Sequence, residues 1–245
     1  MKFNIFYIAQ AFKPSYKLSH VGHHLWKQVI RPGDITIDAT CGNGLDSLIL
    51  AQACIDPLTP PPSPSSPSPP SAVSSSGHLY CFDVQQVAID KTRARLEENG
   101  FTSRNVDYIC GSHAFFPTTI LPQSVACIVY NLGFLPGSDK SVVTKTDSTL
   151  ASLTRAVDLI QPGGLVSVMA YQGHRGGGDE TQAVIDFFES LPLAPEWRLG
   201  MYGVENQPVA PVLITAHRRV HDRDSEELSL PPPSNADVFA RKQGN

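Results

Sequence analysis

Hydrophobic positions fall into short blocks that alternate between two periods. β-Branched or aromatic runs of four to seven residues occur at Ile35–Asp38, His78–Asp83, Val106–Cys110, Ser124–Tyr130 and Leu165–Tyr171. Between them lie stretches with helical spacing: Gly44–Ala53, Gln86–Asn99, Ser148–Ile160 and Thr181–Leu191. The Gln86–Asn99 segment places Val87, Ala88, Ala94 and Leu96 at helical intervals, and Gly100 stops it. A further helix is expected over His23–Ile30, closed by Pro32-Gly33. Two late runs, Trp197–Gly203 and Pro211–His217, follow with no helix between them. Strand–helix alternation ending in two adjacent strands predicts an α/β, Rossmann-like fold. Its sheet has seven strands, mostly parallel, with a C-terminal antiparallel hairpin.

One segment breaks the pattern. Residues 56–76 read DPLTPPPSPSSPSPPSAVSSS and hold eight of the chain's 21 prolines. Proline removes backbone donors and serine adds no apolar area, so the segment is expected to be a disordered, solvated insertion. A PxxP ligand is the other reading of it. The expected organisation is an extension over 1–22, a catalytic domain over 23–219 containing the insertion, and a tail over 220–245.

Composition narrows the picture without deciding it. The chain has 245 residues, 41% hydrophobic and 17% charged, enough for one domain with a sizeable core. A formal net charge of -4 gives nucleic-acid binding no global support but leaves room for a local basic face. Cys41, Cys54, Cys81, Cys110 and Cys127 form no C-x-x-C pair and read as free thiols. No run approaches a membrane span, and no metal-ligand cluster is visible. The first 20 residues lack acids and carry Lys2, Lys13 and Lys17, a weak signal for targeting.

The chemistry concentrates around ITIDATCGNG, Ile35–Gly44. A strand, a glycine turn and a helix build a nucleotide site, because glycine lets a ligand approach the backbone. The acid that holds a ribose belongs at the end of the second strand, about 20 residues beyond the glycines. Asp83 ends that strand but lies 39 residues after Gly44, and removing the insertion restores the spacing. Ser47 fills the third glycine position of a dinucleotide motif, which disfavours a pyrophosphate, and so does the acid Asp38 beside the turn. Asp38 can accept from backbone N–H groups of the turn or from a cationic ligand group. His113, after the third strand, is either an adenine-side contact or a solvent-facing residue. The fourth strand runs into Asn131 at the ligand side of the sheet, where an amide and backbone carbonyls can accept hydrogens and fix the aim of a reacting group. Phe134 could stack on a base.

The D-A-T-C-G-N-G pattern resembles the first motif of class I S-adenosylmethionine-dependent methyltransferases. The segments DATCGNG-x-D, NLGFLPGSDKSVVTK (Asn131–Lys145), YQGHRGGG (Tyr171–Gly178) and ENQPVAPVLITAHR (Glu205–Arg218) together resemble one small family of that class. The family has long been filed under rRNA methylases, and its bacterial members methylate the 5-aminomethyl group of the wobble (thio)uridine of tRNA. The resemblance spans about His23 to Arg219, without the insertion. It implies S-adenosylmethionine as cofactor, held by Asp38, Thr40, Cys41, Gly42, Asn43, Gly44, Asp46, Asp83, Val84, Gln85, Ser112, His113 and Asn131. It implies Asn131 and Leu132 at the transfer point with His174 as a candidate base, and Phe134, Asp139, Lys140, Thr144, Lys145 and Arg175 on the substrate side. Lys140, Lys145 and Arg175 would meet phosphates. The implied partner is RNA, tRNA first, with no membrane; a homodimer is one option for the assembly. An rRNA base or a small molecule on the same fold is the alternative substrate, and a non-catalytic binding module is the alternative class. The insertion points to a plant-type relative, leaving chloroplast or cytoplasm open.

Overall fold

The computed structural model describes residues 4–8 (backbone only), 17–55, 76–137, 139, 141–192, 196–204 and 210–220. The expected insertion (apart from its last residue), the tail beyond residue 220, and Lys140 lie outside the described residues. The elements run β1 (Asn4–Ile8), α1 (Leu18–Val29), β2 (Ile35–Asp38), α2 (Leu45–Cys54), β3 (His78–Asp83), α3 (Gln86–Glu98), β4 (Val106–Cys110), β5 (Val125–Leu132), α4 (Thr146–Leu159), β6 (Ile160–Ala170), α5 (Gly177–Ser190), β7 (Trp197–Val204) and β8 (Val212–Arg218).

All seven expected strands are present. With an eighth they form one sheet in the order β1-β7-β8-β6-β5-β2-β3-β4. Only β8 runs against its neighbours, pairing antiparallel with both β6 and β7. The eighth strand, β1, pairs parallel with β7 at the edge. It falls within the 1–22 segment set apart as an extension, and α1 starts at Leu18, so a boundary at residue 23 cuts a helix. An edge strand can be specified by the backbone groups its neighbour leaves unpaired, so a weak apolar pattern suffices.

The sheet buries both faces. On one, α4 and α5 supply Leu153, Ala156, Val184 and Phe188 against Ile37, Ile128, Tyr130 and Val168. On the other, α1, α2 and α3 supply Trp26, Leu50, Ile89 and Leu96 against Leu79, Cys81, Cys127 and Val129. Burial on both faces explains why β5 reads as a continuous apolar run without alternation. The five cysteines are free thiols, four of them buried in this core and Cys110 exposed.

The chain leaves β2 towards β3 on one side, while β5 lies on the other. That divergence opens a crevice at the C-terminal ends of β2 and β5, where α/β sheets bind ligands. Two boundary differences bear on it. β5 continues through Asn131 and Leu132, so both are fixed by strand pairing to Met169 and Ala170. Helix α5 begins at Gly177, four residues before the expected Thr181, so the loop carrying His174 is a tight turn into a helix.

Candidate active site

The glycine turn is held from all sides. Gly42 has φ +53° and Gly44 φ +75°, both in the left-handed region that favours glycine. A Cβ on Gly44 would lie 2.8 Å from the Thr92 Cα, so α3 packs directly on the turn. From the same helix, Thr92 Oγ1 donates to the Gly42 carbonyl at 3.2 Å and Arg95 Nε to the Asn43 carbonyl at 2.8 Å. The Cys41 N–H donates to the Phe82 carbonyl at 2.8 Å, while its side chain joins the core beneath α2 and α3. Only the Cys41 backbone therefore belongs to the turn.

Three carboxylates surround this turn. Asp38, almost fully buried, accepts from the Ser47 hydroxyl at 2.6 Å and from the Thr40 N–H at 3.2 Å. The backbone of the turn is one of the two partners expected for Asp38. Ser47 explains the missing third glycine: its hydroxyl serves the carboxylate that orders the loop. Burial, then the neighbouring Asp46, push the Asp38 carboxyl up to about 7. Asp83 accepts from the Gln85 N–H at 2.9 Å and the Gly42 N–H at 3.1 Å, tying the end of β3 to the turn. Burial raises its pKa as well. Val84 beside it is 58% exposed, an uncovered apolar side chain at the crevice rim.

The third carboxylate, Asp46, stands in the first turn of α2, where the helix dipole favours an anion. One of its oxygens accepts from the Asn131 side-chain amide, the other meets His23 Nε2 at 2.6 Å. The Asn131 N–H donates to Thr40 Oγ1 at 2.6 Å, stitching β5 to the turn across the divergence. Leu132 turns its side chain into the core and leaves backbone at the strand end.

His113 is buried, which excludes the solvent-facing reading. Its Nδ1 contacts the Ala39 carbonyl at 3.1 Å, so this nitrogen carries the hydrogen. Burial lowers its pKa, and Nε2 has no partner among the described residues. Ser152 donates to the His113 carbonyl at 2.9 Å and lies 2.8 Å from the Tyr130 hydroxyl, which pins this loop to α4 and β5. Ser112 Oγ accepts the Ala114 N–H at 3.2 Å.

On the far side of Asn131, Thr144 folds the 133–144 segment back on itself. Its Oγ1 accepts the Gly133 N–H at 2.9 Å and donates to Glu180 Oε2 at 2.7 Å. Thr149 donates to the other Glu180 oxygen at 2.7 Å. His174 packs edge-on to Phe134 at 6.4 Å between ring centroids, beside the Gly133 backbone. Asp139, Lys145 and Arg175 are exposed; Asp139 caps its own loop through the Ser141 N–H at 2.8 Å, which lowers its pKa. The structure thus gathers Asp38, Asp46, Asp83, Asn131 and the glycine turn into one crevice and leaves Lys145 and Arg175, two of the expected phosphate contacts, exposed. Sequence reading missed His23, Glu180, Thr92 and Arg95. No spacing connects them to the motifs they serve.

The crevice fits its expected occupant. A nucleoside with sulfonium and ammonium charges suits a turn flanked by Asp83 and Asp38, whereas a pyrophosphate would be repelled by them. The sheet that carries the crevice has the strand order of class I methyltransferases, and the protein is an S-adenosylmethionine-dependent methyltransferase. A model of the family described as "Putative rRNA methylase" matches residues 79–218, and the chain belongs to that family. It is 34% identical over 210 residues to the chloroplastic tRNA (mnm(5)s(2)U34)-methyltransferase of Arabidopsis thaliana, covering 83% of this chain and 70% of that protein. A crystal structure of a "putative rRNA-methylase" from Clostridium thermocellum is 25% identical with TM-score 0.69, covering 84% of this chain and all (100%) of that one. A "putative methyltransferase" from Streptococcus mutans, crystallised with SAH, is 26% identical with TM-score 0.65, over 83% of this chain and 98% of that one. SAH is the cofactor after loss of its methyl group.

Proposed function

We propose that this protein N-methylates the 5-aminomethyl group of the wobble uridine in tRNA. The observation that carries the reading is the side chain of Asn131. The Asn131 backbone N–H is fastened to Thr40 and the side-chain nitrogen to Asp46, which leaves the side-chain oxygen to accept an amine hydrogen. The tRNA substrate in the Arabidopsis relative's name supports the choice of acceptor. When bound, the cofactor supplies a methyl group already activated on a sulfonium.

The chain's own residues then have to bind and aim. Asp83 accepts ribose hydroxyls with the lone pairs left free by Gln85 and Gly42. The Gly42-Asn43-Gly44 backbone offers close approach, with Asp38 holding the loop from behind. Val84 provides an apolar surface for the adenine, and Phe134 and His174 wall the substrate side. Lys145 and Arg175 on the rim contact phosphates without reading sequence. The chloroplast compartment of the relative extends to this protein in the same proposal, and a fluorescent fusion to the full chain tests it.

The direct test is nucleoside mass spectrometry of tRNA bearing 5-aminomethyluridine after incubation with protein and S-adenosylmethionine. A mass gain of one methyl on that nucleoside is expected. An unchanged nucleoside, with methylation of rRNA fragments instead, would overturn the choice of RNA.

A further inference from the structure

We propose that Asp46 receives the proton of the substrate amine, and that His23, reaching in from α1, is the residue that positions Asp46 for this task. The inference rests on the amine-methylating reading above, gives Asp46 a task beyond holding Asn131, and adds His23. Three chain segments far apart in sequence meet at one carboxylate: α1 through His23, α2 through Asp46 and β5 through Asn131. Their side chains are neither sealed nor free, with His23 at 23% and Asp46 at 15% exposure. That suits a group that must meet a substrate yet stay screened from bulk water.

A 5-aminomethyl group is cationic near neutral pH, and its nitrogen attacks only once a lone pair is free. In the step itself, that lone pair forms the N–C bond to the methyl carbon. The C–S bond breaks and its electron pair stays on sulfur. The proton whose loss frees that lone pair passes from the ammonium to the Asp46 carboxylate, and the product leaves as the methylammonium cation. No further reactant is needed, because the methyl donor is consumed as a co-substrate.

Asp46 would not be placed here for stability alone. It faces Asp38 across the turn, and its charge helps to raise the Asp38 pKa. Burial first, and Asp46 second, also raise the pKa of Tyr171, just past the end of β6. Two fixed partners hold Asp46 in spite of this repulsion. The Asn131 amide occupies one oxygen and directs the Asn131 oxygen away from Asp46. His23 occupies the other. The His23 ring is held by Trp26, whose ring centroid is 4.9 Å away, with His20 at 6.3 Å on the same helix. Trp26 is itself buried in the core, so α1 delivers His23 as part of a packed face. A carboxylate set this way discriminates between nucleophiles: an amine offers it a positive charge and hydrogens, whereas an aromatic ring carbon offers neither.

The test uses an anticodon stem-loop RNA carrying either 5-aminomethyluridine or plain uridine. Affinity for each, affinity for SAH, and turnover are measured. Wild type should bind the aminomethyl RNA about tenfold tighter, as expected for a charge-assisted contact. Asp46→Asn should erase that preference and lower kcat by about 100-fold, within the usual range for losing a proton acceptor. Its SAH affinity should be unchanged, which also reports an intact fold. His23→Ala should lower kcat with KM for RNA unchanged, and His23→Gln, which keeps a donor, should recover most of the loss. Loss of SAH affinity in Asp46→Asn would assign the carboxylate to the cofactor and overturn the proposal. Unchanged preference and turnover in both variants, beside an active wild type, would overturn this proposal alone. An inactive wild type would overturn the substrate reading along with it.

Discussion

Asp38 and Ser47 show how one buried pair sets both a loop and a titration. The Asp38 carboxyl sits almost out of water with a single hydroxyl and one N–H for support. Its pKa is raised from 3.8 to about 7, so the folded protein holds this proton more tightly than the unfolded chain does. The stability it contributes is full below pH 3.8 and is lost as the pH rises through about 7. Asp38→Asn keeps the polar contact without the charge, so thermal melts between pH 4 and 8 should fall less steeply than for wild type. Ser47→Ala removes the hydroxyl donor and should steepen the loss. Asp83→Ala acts differently, because it deletes the proposed ribose acceptors and an anchor of Gly42. Calorimetry should show SAH binding abolished, whereas Asn131→Ala should bind SAH normally and turn over slowly. Equal SAH affinity in wild type and Asp83→Ala would remove the ribose assignment.

At the scale of elements, the site depends on helices touching loops. Helix α3 closes on the glycine turn so tightly that Gly44→Ala meets both a strained φ and the Thr92 backbone. A loss of about 2 kcal/mol or more in a denaturant titration is expected, with weaker SAH binding. Helix α5 does for the 133–144 segment what α3 does for the turn. Glu180 holds Thr144 and Thr149 together, and its loss strands two hydroxyls. Glu180→Ala should cost roughly 2 kcal/mol and raise KM for RNA, while SAH affinity stays constant. Glu180→Gln keeps one acceptor oxygen and should restore part of both.

Over the whole molecule, the crevice sits where β2 and β5 diverge, and β1 lies at the far end beyond β6, β8 and β7. A truncation of residues 1–8 should therefore lower Tm by several degrees at most while leaving SAH affinity unchanged. Weakened binding would mean that the edge strand supports the crevice. At the N-terminal ends of β5 and β7, away from the chemistry, lies a cavity of about 440 Å³ lined by Arg155, Trp197 and Arg218. Among the described residues, no helix is long and apolar enough to cross a membrane.

What the sequence determined follows from periodicity and local chemistry. Runs such as SVACIVY read as strands because both faces are buried, and Gly42 and Gly44 announce a turn because their φ values favour glycine. The spacing of Asp83, once the insertion is subtracted, follows from a strand having fixed length. These are short-range consequences of the chain. Tertiary structure alone decided that His23 meets Asp46, 23 residues away, and that Asp46 meets Asn131, 85 residues away. It likewise decided that Glu180 fastens a loop 36 residues upstream. No period or spacing encodes such meetings. They arise because packing both faces of the sheet brings α1, α2, α5 and β5 to the same end of it, and a buried polar group keeps whatever partner that packing supplies.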